Sequence, residues 1–104
     1  MNNIIETKDL ITFGEDFPKL AIGDKLYPVN DLKETADKID EVLKNEKVQN
    51  KDNEVLKLAL GEKALEEIMS MKIKTSGYVT LVQLVMATIQ GISLEEFKKQ
   101  SEKN

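Results

Sequence analysis

The spacing of apolar and polar positions changes character several times along this chain. Between Lys19 and Asn30, KLAIGDKLYPVN, Leu20 and Ile22 alternate with Lys19 and Ala21. Gly23-Asp24 is a turn pair, and Leu26-Tyr27-Pro28-Val29 resumes an extended run. Two short runs joined by two turn residues predict a β-hairpin over residues 18–30. Pro28 has no N–H and belongs at an edge or a strand end. A lone hairpin is marginal in water and needs a helix or a third strand against it. Residues 1–17 show no such regularity; Leu10, Ile11 and Phe13 suggest a short extended piece ended by Gly14-Glu15-Asp16.

From Asp31 the period changes to that of a helix. Asp31 and Glu34 have capping-box spacing, and Leu32, Ala36, Ile39 and Leu43 recur on one side, widened by Val42. Lys33, Asp37, Lys38, Asp40, Glu41 and Lys44 cover the other side. The polar stretch NEKVQNKDN, residues 45–53, predicts a surface loop. Residues 54–73 are helical by propensity, with Gly61 either a kink or the end of a short first helix. Val55, Leu56, Ala59 and Leu60 line its first half; Ala64, Leu65, Ile68 and Met71 line its second. Ser93-Leu94-Glu95-Glu96 is another capping box, opening a last helix with Phe97 facing inward and a frayed charged tail, residues 101–104.

Residues 75–94, TSGYVTLVQLVMATIQGISL, contain no charged side chain until Glu95. Thr75-Ser76-Gly77 breaks the preceding pattern, Gly91 suits a helix end, and residues 78–90 form an almost wholly apolar helix between them. Thr80, Gln83, Ala87 and Gln90 fall on one narrow uncharged stripe. The apolar part is shorter than the roughly twenty residues a membrane span requires. Two readings remain: a helix buried on all sides, or one covered on one side by its own domain and on the other by a partner or a second copy. Interface cores are depleted of charge in the same way.

Composition narrows the chemistry. The 104 residues make one domain, α+β but mostly α-helical, with a short N-terminal hairpin and four or five helices within residues 31–100. The formal charge is −4, and every basic side chain is Lys, scattered among acids, which argues against nucleic acid. There is no Cys and no His, so thiolate or imidazole metal sites and the usual nucleophile–base pairs are absent. The adjacent pairs Asp40-Glu41, Glu66-Glu67 and Glu95-Glu96 point in different directions on a helix and read as solvated faces. The glycines lack phosphate-cradle spacing. The expectation is a non-enzyme with no cofactor, metal, membrane or small-molecule substrate. The start, MNNIIE, has neither a basic segment nor an apolar run, which gives a cytoplasmic expectation.

The order of these segments resembles a known family. LAIGDKLYPVND, then helices, then LALGEKALEEIM, then an apolar helix ending in GISLEEFKKQ, is similar in pattern to tail assembly chaperones of siphophages and prophages from Gram-positive bacteria, over about residues 17–100. That resemblance implies a protein of the bacterial host cytoplasm that binds and solubilises the tape measure protein, with the tail tube protein and self-association as further contacts. It also implies a longer frameshifted product diverging near Lys98-Lys99. On this reading Val79, Val82, Met86 and Ile89 make client or self contact, while Leu81, Leu84 and Val85 belong to the core. Met69, Met71 and Met86 would suit an adaptable surface. The alternative function is a structural virion protein of the tail or head–tail junction that self-associates.

Overall fold

The computed structural model describes residues 16–102, so the extended start expected around Leu10–Phe13 lies outside the described residues. Strands β1 (Lys19–Ile22) and β2 (Lys25–Pro28) form an antiparallel hairpin. Gly23 has φ +63° while Asp24 keeps a negative φ, the pattern of a turn with glycine first, whose twist matches that of paired strands. Leu20 faces Tyr27 and Ile22 faces Lys25 across the hairpin, so these four side chains share one face. Tyr27 is buried there and Leu20 and Ile22 pack on the core, which supplies the cover that a two-stranded sheet needs. Pro28 pairs with Lys19 at the strand end, where its missing N–H removes nothing from the ladder.

Five helices follow: α1 (Lys33–Lys44), α2 (Lys51–Leu60), α3 (Glu62–Ser70), α4 (Thr75–Gln90) and α5 (Leu94–Glu102). The fold is therefore mostly helical with an N-terminal hairpin, as the pattern predicts. Helix α1 begins one residue later than a cap at Asp31 suggests. Val29 is completely buried, the Asn30 N–H donates to the Ala59 carbonyl (2.8 Å), and Asn30 Oδ1 accepts from the Leu32 N–H (3.1 Å). The chain leaving β2 is thus anchored to the end of α2 before it can turn, and Leu32 occupies the cap position without a side-chain cap. In α5 the expected cap is present: Ser93 Oγ accepts from the Glu96 N–H (3.1 Å). That helix also runs through Glu102, further than the frayed tail expected from residue 101.

Two other helices start earlier than the pattern predicts. Helix α2 starts at Lys51, inside the stretch read as loop, with Asn50 in the left-handed region at φ 52°. Helix α4 starts at Thr75 and takes Thr75-Ser76-Gly77 as its first turn. First turns are solvated and favour acids such as Asp52, so polar composition does not separate them from loops. Gly61 ends one helix and starts the next. At φ +100°, its N–H donates to the Lys57 carbonyl (2.9 Å) and its carbonyl accepts from the Leu65 N–H (3.1 Å). Gly91, at φ +73°, closes α4 with paired bonds, Gly91 N–H to Thr88 O (3.1 Å) and Ile92 N–H to Ala87 O (3.0 Å).

The core is one cluster drawn from the residue after β2 and from α1 to α4: Val29, Ile39, Val55, Leu56, Ala59, Ile68, Leu81, Val82 and Val85. Each fully buried aliphatic side chain contributes roughly 1.5–3 kcal/mol from apolar area removed from water. Within α4, Thr80 and Thr88 satisfy their hydroxyls on the helix itself, Thr80 Oγ1 donating to Ser76 O (3.1 Å) and Thr88 Oγ1 to Leu84 O (2.7 Å). Among the described residues no single helix is long and apolar enough to cross a membrane; α4 and α5 reach that length together but are bent by 96°.

Candidate protein interface

The four α4 residues expected to make contact do not share one environment. Val79 is 46% exposed, Val82 is 6% exposed and part of the core cluster, and Met86 and Ile89 are half-buried against that cluster. Val82 therefore offers no surface; its side of the helix turns toward the core. Leu81 and Val85 are buried, whereas Leu84 is only half-buried beneath the hairpin. The uncharged stripe is also divided. Ala87 is buried, Thr80 and Gln83 are half-buried, and Gln90 is exposed, so the four do not form one outward face.

Met86 and Ile89 line a groove between α1 and α4, together with Ala36, Ile39 and Leu43. Its volume is about 110 Å³, and Asp40 and Gln90 stand at its edges. Asp40 is held by Lys44 (2.9 Å), one helical turn away, which leaves the apolar floor without a free charge from that residue. Both walls are regular helix, so the positions of the lining side chains are set by packing along α1 and α4 rather than by a loop.

Val79 lies at a different place, the corner where α3 turns into α4. With Met69, Ile73 and Tyr78 it lines a second hollow of about 220 Å³, bordered by Asp52 and Lys72. Met69 is 54% exposed and Met71, just beyond the end of α3, is 39% exposed. Met71 was expected on the inward stripe with Ile68. Met71 is the C-cap of α3, still in the right-handed region at φ −76° and ψ −5°, yet it faces outward rather than joining Ile68 in the core. Lys72 then adopts φ +56°, a conformation usual for glycine at this position after a helix. The Tyr78 hydroxyl donates to Asn53 Oδ1, tying α4 to α2 across the hollow, and burial together with the Asp52 charge pushes its pKa up.

Sequence reasoning missed the α1 wall of the first groove, because Ala36 and Leu43 read only as core positions. It also missed Leu26, 61% exposed on the outer face of β2. Strand alternation could have found it, since Leu26 is one residue from buried Tyr27 and so points the other way.

The ionisable groups are arranged for support. Lys25 Nζ and the Tyr27 hydroxyl both donate to Glu67 Oε1, at 2.7 Å and 2.9 Å, which fastens β2 to α3. Glu66-Glu67 is thus not wholly a solvated face. The hydrogen bonds from Lys25 and then Tyr27 lower the Glu67 pKa, keeping it ionised, opposite to the raised carboxyl of a general acid. Burial and then the bond to Glu67 raise the Tyr27 pKa. Among the described residues no group of three or more Asp or Glu side chains is placed to hold a metal ion.

No family model matches this chain, and no curated protein or solved structure shows significant similarity to it.

Proposed function

We propose that this chain is a non-enzymatic, client-binding chaperone of phage tail assembly, and that its client is the tape measure protein. The observation carrying this reading is the apolar groove between α1 and α4, with Met86 and Ile89 in its wall, on a domain whose outer surface is otherwise rich in charge. A groove between two helices accepts apolar side chains from an extended or helical segment, and a flexible methionine lets it adapt to more than one. The net charge of −4 keeps a coated client dispersed. The choice of client rests on the segment order, LAIGDKLYPVND through GISLEEFKKQ, and its resemblance to tail assembly chaperones.

The test is co-expression with the tape measure protein, followed by affinity capture of this chain. Wild-type protein retains the client in the soluble fraction. Met86→Glu and Ile89→Glu lose it while far-UV circular dichroism stays helical. Retention of the client by both folded variants overturns the groove, and an insoluble client beside wild-type protein overturns the chaperone reading. Recovery of this chain at constant stoichiometry from purified particles identifies a structural virion protein instead.

A further inference from the structure

We propose that the corner between α3 and α4 is the docking face for a second copy of this chain, related to the first by a two-fold axis. The floor of this corner is apolar and open, with Met69 and Val79 54% and 46% exposed beside Ile73 and Tyr78. The decisive feature is the rim, which carries one acid, Asp52, and one base, Lys72. Among the described residues neither has an ion-pair partner.

A two-fold interface brings residue i of one copy to residue j of the other and repeats the contact in reverse. A rim of a single sign repels itself and selects an oppositely charged partner. A rim with one charge of each sign matches its own image: Lys72 of one copy meets Asp52 of the other, twice. Both groups stand on defined backbone. Asp52 lies in the first turn of α2, and Lys72 is itself the left-handed residue that follows the Met71 cap of α3. Each copy carries −4, so two copies repel at long range and the local pairing sets their register. The α1–α4 groove remains free in such a dimer, and the inference does not depend on the identity of the client.

Sedimentation velocity over a micromolar-to-millimolar series measures the association directly. Wild-type protein shifts from monomer to dimer. Asp52→Lys alone or Lys72→Asp alone creates two like-charge contacts and raises the dimer dissociation constant by about tenfold or more. Mixing the two variants restores both pairs and gives a heterodimer, as does combining them in one chain for the homodimer. Circular dichroism on each variant reports the fold, and the mixing experiment is itself proof of competent folding. A wild-type chain monomeric throughout overturns the proposal. So does an association that survives both single reversals, or one that the mixture fails to restore.

Discussion

Helices α1 and α4 both contribute to the same core, yet only one of them announces how. In α1 seven of the twelve positions are charged, and the buried positions, Thr35 and Ile39, lie one turn apart on the side free of that charge. In α4 no position is charged, and the helix buries Leu81, Val82, Val85 and Ala87 while leaving Val79 and Gln90 open. A charged side chain marks the solvent side because its desolvation is so unfavourable. Apolar and small polar side chains carry no such mark. The orientation of α4 is therefore decided by what packs against it, and two adjacent turns of one helix acquire opposite roles.

A charge placed on each of these two turns of α4 has very different consequences. Val82→Glu puts an unpaired carboxylate into the core and destabilises by more than about 4 kcal/mol, enough to remove the cooperative thermal transition. Val79→Glu, three residues away, changes stability by less than about 0.5 kcal/mol. Differential scanning calorimetry of the two variants measures both; equal losses would mean that α4 is rotated from the orientation described. Leu56→Ala, which hollows the α2 side of the same core, costs about 3 kcal/mol in denaturant titration without changing the slope.

Smaller effects come from the helix ends. Gly91→Ala forces a side chain into φ +73° although nothing crowds its Cβ, so the loss is conformational, about 1 kcal/mol. Ser93→Ala removes a cap bond and costs about 1 kcal/mol by the same denaturant assay. Asp31→Ala is close to neutral, because Asp31 caps nothing; a loss as large as that of Ser93→Ala would place the start of α1 at Asp31 after all.

The smallest effect is a pH dependence. Glu67 has a lowered pKa in the folded chain, so it adds stability above the usual carboxylate range and loses it as pH falls through its folded value. Lys25 and Tyr27 have raised pKa values, so their contribution is complete at neutral pH and is lost as pH rises through the folded values. A melting temperature that declines at both extremes is expected. Glu67→Gln flattens the acid side, and an unchanged acid slope in that variant would assign the decline to other carboxylates.

How much was readable follows from where the chain carries marks. The hairpin was legible from Leu20, Ile22 and the Gly23-Asp24 turn, and the end of α4 from Gly91, because glycine at positive φ is a local necessity. The Ser93 cap was legible for the same reason: it requires only a hydroxyl three residues before an amide. Asp31 has the same spacing to Glu34 but fails as a cap, since buried Val29 and the Asn30–Ala59 bond set where the chain can turn. Of the candidate contact residues, Val79 was separated from Val82 only by the packing of α2 and α3. Glu67 was read as solvated because its partners, Lys25 and Tyr27, are about forty residues away.

By itself the sequence determined the features that depend on neighbours along the chain: a hairpin, periodic or apolar segments for four or five helices, their glycine breaks, and an acidic composition without histidine or cysteine. Backbone conformation and capping are short-range, and three or four residues suffice to specify them. The tertiary structure alone decided which side of α4 is covered, that Met71 and Leu26 face outward, and that Asp52 and Lys72 border one hollow. Those are outcomes of competition among all apolar surfaces for a limited core, and an uncharged helix enters that competition with no preferred side.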